Sequence, residues 1–76
     1  MQYDDVENPE HYDLEGMQVI EVIRSALTPE EFAGYCRGNQ LKYLLRLHKK
    51  DTPQKNAGKS NWYGERLLRA LKEQYD

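Results

Sequence analysis

Apolar residues recur at helical spacing in three stretches of the chain, each set off by residues that start or stop helices. Met17, Val19, Ile20, Val22, Ile23, Ala26 and Leu27 form the first stretch and predict a helix of about three turns. The same β-branched run would also suit a strand. Helix is preferred, because no second strand-like run stands anywhere to pair with it.

The second stretch opens on Thr28-Pro29-Glu30-Glu31. Thr28 can cap, Pro29 fits the first helical position, and Glu31 stands three after the cap to complete a capping box. The helix carries Phe32, Ala33, Tyr35 and Cys36, then meets Gly38, which either kinks it or separates it from a helix continuing to about Lys50. Asp51-Thr52-Pro53 repeats the cap-then-proline pattern, and Leu67, Leu68, Leu71 and Tyr75 mark a last helix. Gly58 and Gly64 weaken it. An alternative start near Ser60 or Asn61 would leave residues 51 to 59 as a loop.

Residues 1 to 15 show little periodicity, contain Pro9 and read as an extended arm closed by Gly16. The expectation is an all-α protein: a single three- to four-helix domain over residues 16 to 76 behind an acidic N-terminal arm. At 76 residues the core is small, so association into a homo-oligomer is expected.

Charge sharpens this division. The net charge is -2, but residues 1 to 31 hold nine acids against Arg24 alone, whereas residues 37 to 59 hold seven Lys and Arg against Asp51 alone. The basic segment suits an anion, and the acidic one could cover it. Nucleic acid is not expected as a partner, because the basic residues are few and offset by acids. The single Cys36 excludes an internal disulfide and the usual Cys-rich zinc site. No apolar run approaches the roughly 20 residues of a membrane span, and the acidic N-terminus is unlike a secretory signal, so no membrane partner and a cytoplasmic location are expected.

At about 100° per residue, Asn39, Lys42, Tyr43, Arg46, Lys49 and Lys50 share one arc of a helix, with Leu41, Leu44, Leu45, Leu47 and His48 opposite. The leucines are expected to face the core. Arg supplies a planar fork for phosphate, Lys a point charge, Asn donors and an acceptor, and Tyr a flat face for a base. A plain solvated face would need only charge.

Other candidates are weaker. Ala57-Gly58-Lys59-Ser60 ends like a P-loop, but Pro53 stands where the first glycine should be and no buried strand precedes it. His11 with Glu10, Asp13 and Glu15 lacks a second positioned histidine, so no metal is expected. His48 reads as a packed or boundary histidine. Trp62-Tyr63 is either a stacking platform or a core anchor. No nucleophile-base pairing is legible, and no cofactor is expected.

Three spaced elements carry a family resemblance: Asn8-Pro9-Glu10-His11-Tyr12, then Gly38-Asn39-Gln40-Leu41-Lys42-Tyr43-Leu44-Leu45-Arg46, then Lys59 with Trp62-Tyr63 and Leu67. In their order and spacing the chain resembles the SaV-like family of small bacteriophage proteins, a domain of unknown function that also occurs in the nucleotide kinase of T-odd podoviruses. The resemblance runs from about Asn8 to Leu71. It implies a phage accessory protein working in the infected bacterial host and, in the kinase branch, phosphoryl transfer to nucleoside monophosphates without a P-loop. The residues that match the family pattern are Asn8, His11, Tyr12, Gly38, Asn39, Lys42, Tyr43, Arg46, Lys59, Trp62 and Tyr63, and of these the resemblance makes His11, Tyr12, Asn39, Lys42, Tyr43, Arg46, Lys59, Trp62 and Tyr63 the expected ligand-binding set.

Family members often carry an acidic pair before the tryptophan, where this chain has Lys55 to Ser60; its loss favours binding a nucleotide or other phosphate ligand over turnover. Gly38 would let a phosphate approach the free N–H groups of a helix start. The competing expectation is inhibition of a host or anti-phage defence protein by direct contact, with the acidic arm as the contacting element.

Overall fold

The described chain opens on a two-residue antiparallel ladder in which β1 (Asp13–Leu14) pairs with β2 (Met17–Gln18), Asp13 opposite Gln18 and Leu14 opposite Met17. This computed structural model describes residues 13–14 and 17–75. β2 passes directly into α1 (Val19–Ala26), so the first helix begins two residues later than its apolar pattern suggests, the backbone of Met17 and Gln18 being engaged by β1. Ile20 of α1 is buried, and Ile23 and Leu27 pack beside it.

α2 (Pro29–Leu45) starts as its sequence predicts. The Glu31 N–H donates to the Thr28 hydroxyl at 3.1 Å and the Thr28 N–H donates to the Glu31 carboxylate at 2.9 Å, so two of the helix's orphan donors are met reciprocally. The helix runs unbroken through Gly38 and stops at Leu45, short of the expected Lys50. There is therefore no helix start at Gly38, and its N–H is not free for an anion.

What stops α2 is the next helix. α3 (Pro53–Tyr75) begins at the proline, not near Ser60, so residues 53–59 are helical. The Lys55 N–H donates to Thr52 Oγ1 at 3.1 Å, the geometry of an N-cap. One turn in, the fully buried Asn56 points its Nδ2 at the carbonyls of Arg46 (3.1 Å), Leu47 (3.2 Å) and Lys50 (2.5 Å). One donating side-chain amide thus ties the turn that follows α2 to the first turns of α3. Asp51, at φ 63, makes the left-handed step between the helices; Asp tolerates that region better than most residues.

The result is all-α: α2 and α3 form an antiparallel hairpin, and α1 lies along one flank. Glu21 of α1 pairs with Arg66 of α3, and Arg24 reaches Glu73 at 3.4 Å. The core contains Ile20, Phe32, Ala33, Cys36, Tyr43, Tyr63 and Ala70. Among the described residues no helix is long and apolar enough to cross a membrane.

The buried face of α2 also departs from the sequence expectation. Leu41, Leu44 and Leu45 do not face the core: they are 48%, 49% and 76% exposed, while Tyr43 is 2% exposed. The reason is the continuity of α2. Phe32 and Cys36 set its buried face, and that face continues at spacings of four and seven through Asn39 to Tyr43. His48, in the turn after α2, is exposed as well.

Candidate functional site

Because α2 turns its Tyr43 edge inward, the basic stripe of the sequence becomes the rim of an aromatic cluster. The Tyr43 ring stacks on that of Tyr63 from α3, centroids 5.9 Å apart and planes 12° from parallel. Trp62 meets Tyr63 edge-on at 5.0 Å, and Tyr35 meets it edge-on at 6.2 Å.

Three cations converge on the same tyrosine. Lys42 Nζ lies 4.5 Å from the Tyr43 centroid, Lys59 Nζ 5.3 Å and the Arg46 guanidinium carbon 5.5 Å. All are within the reach of cation–π attraction, worth about 0.5–1 kcal/mol each where exposed and more where dry. Their surroundings differ. Lys59 is 2% exposed, with the Asp51 carboxylate 3.8 Å away. Lys42 is exposed and Arg46 half-buried, and among the described residues neither forms an ion pair with a carboxylate. Among the described residues, no carboxylate offsets the charge of Lys42 and Arg46 at this rim.

Asp51 is the member of this group that the sequence reading missed. Its carboxylate accepts from the Thr52 N–H at 3.0 Å and sits 3.7 Å from Lys55. The backbone hydrogen bond from Thr52, and then the two lysines, hold its pKa below the ordinary carboxylate range. The signal was present: once α3 begins at Pro53, Asp51, Lys55 and Lys59 follow one another at intervals of four. Asn56, which locks α2 to α3 beneath the cluster, was missed for the same reason. Its Oδ1 has no hydrogen-bond partner among the described residues.

Of the predicted site residues, Lys42, Tyr43, Arg46, Lys59, Trp62 and Tyr63 come together. Asn39 lies one turn before Tyr43 on the same helix, where its Nδ2 donates to the Tyr35 carbonyl at 3.0 Å. His11 and Tyr12 lie outside the described residues. The P-loop-like Ala57 to Ser60 is interior helix. Among the described residues no three His, Cys, Asp or Glu side chains are grouped to hold a metal.

Towards the far end of the same flank, a cleft of about 150 Å³ is lined by Glu21, Arg24, Phe32, Arg66, Arg69 and Glu73. Arg66 is paired with Glu21, and Arg24 with Glu21 and Glu73, while Arg69 forms no ion pair among the described residues. Glu21 is held below the ordinary carboxylate range chiefly by its hydrogen bond from Arg66, and two of the three arginines of this cleft already face carboxylates.

A small helical domain with a cationic rim around a buried tyrosine stack defines the class. The family follows from comparison: residues 6–65 match the model of a protein family of unknown function, DUF3310, and the chain belongs to that family. It is 46% identical over 65 residues to the gene 1.7 protein of enterobacteria phage T3, covering 80% of this chain and 40% of that protein. It is 44% identical over 64 residues to the nucleotide kinase gp1.7 of Escherichia phage T7, covering 79% of this chain and 33% of that protein. The family is thus one found in bacteriophages, and the chain spans well under half the length of these relatives. No solved structure matches.

Proposed function

We propose that the chain binds a nucleotide, or a nucleotide-derived phosphate ligand, at the Tyr43 rim. The observation that carries this reading is the convergence of Lys42, Arg46 and Lys59 on one buried ring, with Lys42 and Arg46 free of carboxylates among the described residues. Arg46 supplies the fork for phosphate oxygens, Lys42 a second, mobile charge, and Lys59 a fixed positive potential behind the ring. Tyr43 and Tyr63 are buried, so they hold the cations in place; the half-buried Trp62 is the ring placed to take a base by stacking. Asn39, His11 and Tyr12 complete the site.

The printed activity of the T7 relative, nucleotide kinase, supports a nucleotide as the ligand. Since this chain covers a third of that protein, we assign it binding and treat phosphoryl transfer as a further capacity of the same site. The SaV-like affiliation, a phage accessory role and action in the cytoplasm of the infected bacterium belong to this reading.

Titrating the chain with nucleoside mono-, di-, tri- and cyclic phosphates at low salt, by calorimetry and by Trp62 fluorescence, tests it. Saturable binding that inorganic phosphate competes for weakly is expected. The absence of a saturable signal with every nucleotide removes the proposal. Incubation with ATP and each nucleoside monophosphate then reads transfer separately.

A further inference from the structure

The hairpin has a second flank, on which exposed leucines stand beside the exposed Arg37 and Lys72. Gln40 and Gly64 meet there: a Cβ on Gly64 would stand 2.6 Å from the Gln40 amide nitrogen. From that meeting point Leu44 lies four residues onward on α2, and Leu68 and Leu71 lie four and seven onward on α3, so all continue the same side of the hairpin. α1 is on the other side, where it holds Arg66 and Glu73. Leu41 and Leu44 are about half exposed and Leu45 three-quarters, while Leu68 is 55%, Leu71 37% and Tyr75 75% exposed.

Leu41, Leu44, Leu68, Leu71 and Tyr75, each between 37% and 75% exposed, leave on one side of the hairpin more apolar surface in water than singly scattered residues do. Their arrangement also selects the partner. The helices are antiparallel, so the α2 leucines lie to one side of the Gln40–Gly64 contact and the α3 group to the other. A twofold axis through that contact sets each group on the other group of a second molecule, the self-complementary pattern of an isologous interface. We propose that this flank is the contact between two copies of the chain, Leu41 and Leu44 of one packing on Leu68, Leu71 and Tyr75 of the other. The Tyr43 rim faces away from it, so the pairing does not depend on ligand binding.

Sedimentation equilibrium of the 76-residue chain tests this. Twice the 9.0 kDa chain mass is expected at micromolar concentration, with Leu44→Lys or Leu71→Glu each returning the chain to monomer at unchanged helical circular dichroism. Combining the two substitutions in one chain should restore the dimer, because the opposite charges then meet across the twofold. Should a charged variant lose helicity, Leu44→Ala and Leu71→Ala are measured instead, and a rise of at least tenfold in the dimer dissociation constant is expected. A monomeric wild-type chain, an assembly that survives the single substitutions, or a double variant that stays monomeric overturns the proposal.

Discussion

Asn56 and Lys50 are joined across the turn between the two long helices: the Asn56 Nδ2 donates to the Lys50 carbonyl at 2.5 Å and is shared with the carbonyls of Arg46 and Leu47. One buried amide therefore closes α2, shapes the turn and fixes where α3 begins. The cationic rim is positioned by that joint, since Arg46 is the C-cap of α2 and Lys59 lies one turn beyond Asn56.

Removing the joint should be costly. Asn56→Ala removes the side-chain donor of the Leu47 and Lys50 carbonyls, that of Arg46 keeping the Lys49 N–H, and a loss of about 1–3 kcal/mol in unfolding free energy is expected. Urea denaturation followed by circular dichroism measures it. A change below about 0.5 kcal/mol would show that the turn is held by something else.

The ligand site should separate from stability. Arg46→Ala is expected to weaken nucleotide binding by about 1.5–3 kcal/mol, the worth of a charge-assisted hydrogen bond, and to shift the urea midpoint little, because the guanidinium has no ion-pair partner among the described residues. Calorimetry on a variant of verified fold reads the first, and the denaturation curve the second.

Acid should loosen the α1 flank. The hydrogen bond from Arg66 holds Glu21 below its ordinary value of 4.5, so the stability it contributes is complete above about that pH and is lost as the pH falls through the lower folded value. Glu21→Gln should lower stability at neutral pH by about 1–2 kcal/mol and flatten the acid limb of the profile. Asp51 is depressed too, so Asp51→Asn is the comparison that isolates the Glu21 share.

Gly34 offers a gain. It stands inside α2, is exposed, and has nothing within 4 Å of where a Cβ would go. Gly34→Ala should stabilise the chain by about 0.5–1 kcal/mol through helix propensity and a less free unfolded chain. Thermal melting tests the sign. Gly64→Ala should gain less, as Gln40 must first move aside.

Where local rules decide, the sequence was readable. Thr28-Pro29 with Glu31 marks the start of α2 to the residue, and Asp51-Thr52-Pro53 marks that of α3, because caps are written in three or four adjacent positions. The face that each helix buries was harder. Residues 39 to 50 taken alone offer leucines as the core, and only the phase carried over from Phe32 and Cys36 across Gly38 shows that Tyr43 lies inside. Asp51 beside Lys59, and Asn56 beneath α2, depend on how two helices are set against each other, which no single periodicity encodes. Lys42, Tyr43, Arg46, Lys59, Trp62 and Tyr63 were identifiable by residue type, but the burial of the tyrosines and the exposure of the leucines were not.

Cys36 is wholly enclosed in this core, and burial pushes its thiol above the usual range. A thiol-specific reagent can reach it only when the hairpin parts, so the labelling rate of this single sulfur is an internal clock for opening. Timed with and without a bound partner of any kind, that clock tells which encounters clamp the two long helices together.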